Sequence, residues 1–176
     1  MNKTIFITGI SGCGKTTFAN KFTKLGYEVI HLDEITKYYT KNRPILNEKV
    51  KYFIDILYGD LNFHIDFSND EYLIINSFIK YITQLEGKYV IEGIQLFMDY
   101  IDIDYIMDYD IIIIKASMMS CLFRRIHRGL SKKNKLSKKI YNLIRYDLSY
   151  PAIIDIIRLS RFKHQLKNRN KKLETI

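Results

Sequence analysis

A stretch near the N-terminus has the residue types and spacing of a phosphate-binding loop. Residues 8–17 read TGISGCGKTT, and Gly9 to Thr16 match the pattern G-x-x-x-x-G-K-[ST]. Glycines let successive backbone N–H groups point at phosphate oxygens, and the helix that follows adds the positive end of its dipole. The pattern predicts a bound nucleotide polyphosphate. It leaves open whether the terminal phosphate is hydrolysed, transferred or only held.

Individual side chains of this loop have expected roles. Lys15 is expected to bridge the outer phosphates during catalysis, and the hydroxyl of Thr16 is expected to ligate Mg²⁺. The residues that we expect to contact the nucleotide are Gly9, Ser11, Gly12, Cys13, Gly14, Lys15, Thr16 and Thr17.

Two acidic residues come at the ends of predicted strands. Asp33 follows the run YEVIHL, and Glu92 ends the run KYVIE. Open parallel sheets bind ligands at the C-terminal ends of their strands, so we expect both carboxylates beside the terminal phosphate. One could hold Mg²⁺ through its waters, and the other could accept the proton of an attacking hydroxyl. The structural alternative makes Asp33 the N-cap of a helix that begins near Glu34 and makes Glu92 a turn residue.

An arginine-rich segment, FRRIHR, covers residues 123–128, and from Arg124 to Lys139 there are eight basic residues and no acid. Helical spacing puts Arg124 and Arg128 on one face, with Arg125 beside them. Arginines on a segment that closes over a phosphate donor neutralise charge during phosphoryl transfer. A solvated basic helix is the alternative interpretation.

The elements that must position these residues alternate between strands and helices. The predicted strands cover residues 3–8, 27–32, 88–92 and 110–115. The predicted helices cover residues 15–25, 46–58, 71–85, 118–128, 136–148 and 151–164, and only helices are expected beyond Ser117. This order predicts a three-layer α/β P-loop NTPase fold with a parallel sheet of four to five strands.

Length and composition limit the class of protein. At 176 residues the chain is long enough for one substantial core and too short for two ordinary domains, so a single domain over 1–176 is expected. No apolar run is long enough for a membrane span, and the N-terminal apolar run is too short for a signal peptide. The two cysteines, Cys13 and Cys121, have no metal-ligand spacing. A cytoplasmic protein without a membrane partner is therefore expected.

The charge of the chain is divided unevenly. Residues 1–123 contain 12 Lys+Arg and 16 Asp+Glu, whereas residues 124–176 contain 16 and 3, so local charges of −4 and +13 make up the total of +9. The second part includes a predicted lid region, about 117–139, and a basic tail, about 165–176. Its charge favours an anionic partner: nucleotide phosphates, a phosphorylated substrate or nucleic acid. A solvated lysine surface is the alternative.

Four segments, taken in order, resemble the uridine kinase and phosphoribulokinase group of P-loop kinases. They are SGCGKTT, HLDEITKYY, YVIEGIQLF and LFRRIHRGL, and the resemblance spans about residues 3–130. The wider set of adenylate-kinase-like small-molecule kinases shares this layout. The resemblance implies ATP and Mg²⁺ as cofactors, with a lid that closes over the phosphates.

The resemblance also implies roles for particular residues. Asp33 would be the base and would contact the acceptor, and Glu92 would be the Mg²⁺-associated acid. The lid arginines would be Arg124 and Arg128, which act in catalysis, and Arg125, which binds the nucleotide. The residues along the acceptor pocket would be Tyr38, Tyr39 and Arg43.

Three functions fit these observations. The first is ATP-dependent phosphoryl transfer to a small molecule, such as a nucleoside, a nucleotide or a similar metabolite hydroxyl. The second is a polynucleotide 5′-kinase, or another nucleic-acid-directed kinase, that uses the basic C-terminal third. The third is a nucleotide-dependent regulator in which Gln95, three residues after Glu92, positions a water. We prefer the first, because hydrolytic switches rarely add a basic lid and no stripe of base-stacking aromatics accompanies the lysines.

Overall fold

A parallel sheet forms the centre of the structure. The computed structural model describes residues 3–41, 44–61, 67–99, 101–131, 150–169 and 174–175. The strands are β1 (Lys3–Thr8), β2 (Glu28–His31), β3 (Lys88–Glu92), β4 (Asp110–Ile113) and β5 (Glu174–Thr175). They lie in the order β2-β3-β1-β4-β5, and every neighbouring pair is parallel.

Helices follow most of the strands. They are α1 (Lys15–Ala19), α2 (Asp33–Lys41), α3 (Glu48–Leu61), α4 (Phe67–Gln84), α5 (Met118–Ser131) and α6 (Tyr150–Asn168). Short 3₁₀ segments cover Asn20–Leu25, Gln95–Phe97 and Ile103–Tyr105. Within the described ranges, none of the helices combines the length and the apolarity that crossing a bilayer requires.

The sheet separates two apolar layers. Successive residues of a strand point to opposite faces, so Phe6 and Ile91 pack into a core with the helices α2, α3, α4 and α6. Ile7 and Val90 point to the other face, where they pack with Ala19 of α1 and with residues of α5. Strands covered on both faces read as continuous apolar runs, as the inner strands do here. The predicted three-layer α/β P-loop fold is confirmed.

One boundary prediction needs correction. The predicted helix 15–25 is α-helical only to Ala19 and then continues as a 3₁₀ segment that ends at Gly26, whose φ is 77°. The N–H of Gly26 bonds to Thr23 O and that of Tyr27 to Phe22 O, which satisfies the last carbonyls and tightens the turn. The other predicted helices that lie in the described residues are found within a few residues of their expected bounds, whereas the predicted helix 136–148 lies outside those residues.

The expectation of helices only beyond Ser117 is wrong, because β5 pairs with β4 at Glu174 and Thr175. A two-residue strand is too short to produce a recognisable alternation of apolar and polar residues. The structural alternative for Asp33 predicted a helix that begins near Glu34. The structure contains this helix as α2, and its first residue is Asp33.

Candidate functional site

The loop after β1 packs closely against its neighbours. Gly9 and Gly12 have positive φ angles of 150° and 85°. A Cβ added at Gly9 would lie 2.6 Å from the carbonyl oxygen of Ile114, and one at Gly12 would lie 2.7 Å from that of Cys121. Glycine is required at both positions because backbone passes directly beside them: the residue after β4 lies next to Gly9, and α5 lies next to Gly12.

Lys15 is the first residue of α1 and is buried, with 8% of its surface exposed. Its Nζ donates hydrogen bonds to the carbonyl oxygens of Gly9, at 2.8 Å, and Ile10, at 3.2 Å. The ammonium group therefore lies across the loop, where these carbonyls compensate its burial. It also reaches the cleft that opens above the loop.

This cleft brings together most of the predicted residues that the structure describes. It has a volume of about 380 Å³ and lies at the C-terminal ends of the strands. Its walls are formed by Ser11, Gly12, Gly14, Lys15, Thr16, Thr17, Asp33, Glu92, Ile94, Arg124 and His127. Ile94 and His127 were not among the predicted site residues.

Glu92 lies directly beside the loop because β3 is the neighbour of β1 in the sheet. The residue is 5% exposed. Its Oε1 accepts a hydrogen bond of 3.0 Å from Oγ1 of Thr16, in the first turn of α1. The same oxygen lies 2.7 Å from Nδ1 of His31, at the end of β2. Burial of this carboxylate is thus compensated by two polar partners.

His31 is a member of the site that the sequence analysis missed. An ionised carboxylate can only accept hydrogen bonds, so Nδ1 carries the proton that faces Glu92. The hydrogen bond to Glu92 raises the pKa of His31 above its usual value, against the opposing effect of burial. The motif HLDE contained this histidine, but its partner could be identified only once the pairing of β2 with β3 was known.

Asp33 lies farther from the loop than Glu92, because β2 is separated from β1 by β3. It is the first residue of α2, and 47% of its side chain is exposed. Its Oδ1 accepts a hydrogen bond from Nε2 of Gln95 at 3.2 Å, and its Oδ2 pairs with Nζ of Lys37 at 3.3 Å. The carboxylate therefore lines the cleft, and each of its oxygens has a polar partner.

Gln95 connects the 3₁₀ segment Gln95–Phe97 to the start of α2. The side chain is buried, and Nε2 donates both to Asp33 and to Oγ1 of Thr36, the latter at 3.1 Å. The regulatory alternative assigned Gln95 to the positioning of a water. In the structure its amide N–H groups are directed at the side chains of α2, and its Oε1 is buried without a hydrogen-bond partner among the described residues, so the regulatory assignment stays a prediction.

The predicted acceptor residues are only partly described. Tyr38 lies on α2, partly buried against the core, and does not belong to the cleft wall described above. The side chain of Tyr39 and the whole of Arg43 lie outside the described residues. Their predicted contact with the acceptor stays a prediction.

The arginine-rich helix α5 packs on the outer side of the loop. Nη1 of Arg124 donates to the carbonyl oxygens of Cys13, at 2.9 Å, and Gly12, at 3.3 Å. Cγ of Arg125 lies 3.2 Å from the position that a Cβ on Gly12 would occupy. The side chain of Arg128 lies outside the described residues. Two of the three predicted arginines are therefore described, and both lie against the loop.

The hydroxyl oxygen of Thr16 and the carboxylate oxygens of Glu92 are of the kind that Mg²⁺ takes as ligands. Within the described ranges, no group of three or more His, Cys, Asp or Glu could enclose a metal ion. Mg²⁺ that arrives with a nucleotide does not need such a group, because phosphates and waters complete its octahedral shell. A hydroxyl and one carboxylate at the edge of a phosphate-binding cleft are therefore sufficient.

A parallel sheet in the order β2-β3-β1-β4, with a glycine-rich loop between β1 and α1, defines the P-loop class of α/β proteins. No protein-family model matches the chain. Over 52 residues the chain is 44% identical to the dephospho-CoA kinase of Aquifex aeolicus (strain VF5). The match covers 29% of this chain and 26% of that protein, so it spans about a quarter of the length of this relative.

Two solved structures are similar at a lower level. One is TT1252 from Thermus thermophilus, with 18% identity, a TM-score of 0.45, and coverage of 89% of this chain and 85% of that chain. The other is a gluconokinase from Sinorhizobium meliloti 1021, with 13% identity, a TM-score of 0.45, and coverage of 96% and 95%. Similarity at this level carries no conclusion about function.

Proposed function

We propose that the protein is an ATP-dependent small-molecule kinase, which transfers the γ-phosphoryl group of ATP to an acceptor hydroxyl. The observation that carries the proposal is the hydrogen bond between Thr16 and Glu92 at a cleft whose wall also includes Asp33. Phosphoryl transfer needs a phosphate cradle, a cation site and a group that accepts the proton of the acceptor. The matched relative, a dephospho-CoA kinase, supports this class of reaction without identifying the acceptor.

The loop and Lys15 would bind the phosphates. The backbone N–H groups at the start of α1 have no partner within the helix and are available to phosphate oxygens. The ammonium group of Lys15, which bonds to the carbonyls of Gly9 and Ile10, would exchange these contacts for the outer phosphates.

Thr16 and Glu92 would hold Mg²⁺. Thr16 donates its hydroxyl proton to Glu92, so its oxygen lone pairs stay available to a cation. Bound with the nucleotide, Mg²⁺ would neutralise charge on the phosphate oxygens. The carboxylate of Glu92 would add negative charge to the same site.

Asp33 would accept the proton of the attacking hydroxyl. Its carboxylate is in the cleft wall, and Gln95 and Lys37 hold its two oxygens. A base held in one orientation is effective because the reacting groups need close alignment.

The arginines of α5 would neutralise the transferred group. Arg124 bonds to carbonyls of the loop and lines the cleft, and Arg125 lies beside Gly12. Arg128 would complete the set that the family resemblance implies. Exclusion of water by a basic lid would favour transfer over hydrolysis.

The finer assignments remain predictions. They are membership of the uridine kinase and phosphoribulokinase group, a nucleoside, nucleotide or similar metabolite as acceptor, and a cytoplasmic location. The nucleic-acid alternative depends on the basic C-terminal third, much of which lies outside the described residues. No observation favours it over the small-molecule reaction.

A screen for acceptor-dependent release of ADP tests the proposal. The full chain is incubated with Mg²⁺–ATP and pools of nucleosides, nucleotides, sugars and cofactor precursors, dephospho-CoA included. We expect one pool to stimulate ADP release strongly, and Lys15→Ala to abolish the stimulation, with Lys21→Ala as a matched control on an exposed lysine. ATP turnover that is equally fast with and without every acceptor would contradict the proposal and favour the regulatory alternative.

A further inference from the structure

We infer that His31 is a positioning residue of this site, which fixes the carboxylate of Glu92 so that Thr16 presents its hydroxyl oxygen to the cation. The inference rests on the proposed function, because it concerns the cation that accompanies the nucleotide. It goes beyond that function because the loop motif assigns no role to this histidine.

The contact arises from the register of the sheet. In the pairing of β2 with β3, His31 lies opposite Glu92, and in the pairing of β1 with β3, Glu92 lies opposite Ile7. Glu92 points to the same face as Val90, since side chains two residues apart share a face. That face is covered by α1, whose first turn contains Thr16. The strand register and the position of α1 therefore bring the three polar side chains to one place.

A single oxygen atom receives both contacts. Oε1 of Glu92 accepts from Thr16 at 3.0 Å and lies 2.7 Å from Nδ1 of His31. The side chain of Glu92 is 6% exposed, and that of His31 is 27% exposed. A carboxylate with only one donor could take other orientations about its last torsion angle that keep that hydrogen bond. The second donor fixes Oε1 and thereby fixes the direction in which Thr16 donates its proton.

The direction of that proton matters to a cation. A hydroxyl has one proton and two lone pairs, so the proton must point away from any cation that the oxygen ligates. Groups that hold a metal ligand in this way commonly change metal affinity when they are removed. A histidine that served only to stabilise the sheet would have no such effect on metal binding.

The test measures Mg²⁺ affinity without turnover. ADP is titrated by calorimetry at a series of Mg²⁺ concentrations and in EDTA. In His31→Phe we expect the Mg²⁺ affinity of the ADP complex to fall by about tenfold, while metal-free ADP binds as in the wild type. His31→Asn should restore most of the affinity, because its amide N–H can occupy the position of Nδ1–H.

A double-mutant cycle shows whether His31 acts through Glu92. In a Glu92→Gln background, His31→Phe should change the Mg²⁺ affinity little further, whereas independent effects would add. The matched control is His164→Phe on α6, where the histidine is exposed and distant from the loop in sequence. Thermal unfolding of each variant shows that it is folded.

The outcomes separate the two proposals. Wild-type Mg²⁺ affinity in folded His31→Phe would overturn the inference and leave the kinase proposal intact. An equal loss of metal-free ADP binding would also overturn it, because it would indicate a general distortion of the loop. A wild-type protein that bound no ADP under any condition would overturn both.

Discussion

At the scale of single residues, the position of two carboxylates determines what each can do. Glu92 is buried next to the loop and bonds to Thr16 and His31. Asp33 lies one strand farther out, half exposed, and bonds to groups of α2 and to Gln95. A buried acid that bonds a loop hydroxyl suits a cation site, whereas a more exposed acid at the open side suits contact with an acceptor.

Asp33→Asn tests this division of roles. We expect the rate of phosphoryl transfer to fall by about 100-fold or more, since a general base commonly contributes that much. The affinity for ATP should change little, because the carboxylate of Asp33 bonds to Gln95 and Lys37, which lie outside the loop. Steady-state kinetics with the identified acceptor and calorimetry with ATP give the two values. Asp108→Asn, at an exposed position, is the control, and near-normal turnover in Asp33→Asn would exclude the base role.

The pKa of His31 predicts a pH dependence of stability. The pKa is raised in the folded state from the usual value of 6.5, so the folded protein binds this proton more tightly than the unfolded chain does. The contribution to the free energy of unfolding is complete below the unfolded pKa and is lost as the pH rises through the folded pKa. The free energies of unfolding of the wild type and of His31→Asn are measured in urea from below pH 6.5 to above the folded pKa. The difference between the two free energies should shrink as the pH rises. A constant difference would be incompatible with the raised pKa.

At the scale of elements, the phosphate loop depends on α5 as well as on the strand and the helix that flank it. The backbone of α5 passes beside Gly12, and Arg124 bonds to two carbonyls at the top of the loop. The predicted lid region therefore begins with a helix, α5, that packs against the loop.

Gly12→Ala and Gly26→Ala separate this packing from backbone strain. Both glycines have positive φ, so each alanine should lower the free energy of unfolding by about 1–2 kcal/mol through strain. Only at Gly12 would the new Cβ meet backbone, 2.7 Å from the carbonyl oxygen of Cys121, whereas nothing lies within 4 Å at Gly26. We expect Gly12→Ala to cost more stability and to abolish ATP binding. Equal stability losses, measured by urea unfolding, with ATP binding retained would contradict a close approach of α5.

At the scale of the whole molecule, the last described helix belongs to the core in spite of its basic charge. Leu159, Phe162 and Leu166 of α6 are buried with the apolar residues of β1, β3 and β4. Beyond them, Arg169 forms an ion pair with Asp104, and β5 joins the edge of the sheet. The predicted basic tail, about 165–176, therefore includes residues that stabilise the fold, and its removal would test stability as well as anion binding.

Leu166→Ala tests the structural role of this region. The side chain is fully buried, so its truncation should lower the free energy of unfolding by about 2–5 kcal/mol. Lys167→Ala, at the neighbouring exposed position, should change it little. Urea unfolding of both variants gives the comparison. A small effect of Leu166→Ala would mean that α6 does not pack on the sheet in solution.

Much of the fold could be predicted from local patterns. The alternation of apolar runs with helical stripes indicated the strands β1 to β4, most of the helices and the three-layer class, and the loop motif located Lys15 and Thr16. These features depend on neighbouring residues, whose backbone conformations are encoded by composition and spacing. The strand β5 and the 3₁₀ continuation of α1 were missed because their signals are shorter than the periods that such patterns require.

Residue types and motif spacing predicted which side chains have the chemistry of a phosphate-binding site. Which of these side chains meet depends on the tertiary structure. The order of the strands puts Glu92 beside the loop and Asp33 farther out, and the register of β2 against β3 brings His31 to Glu92. Gln95 similarly finds Asp33, 62 positions away in the chain. Such contacts depend on how distant segments pair, and residue spacing along one segment contains no information on that pairing.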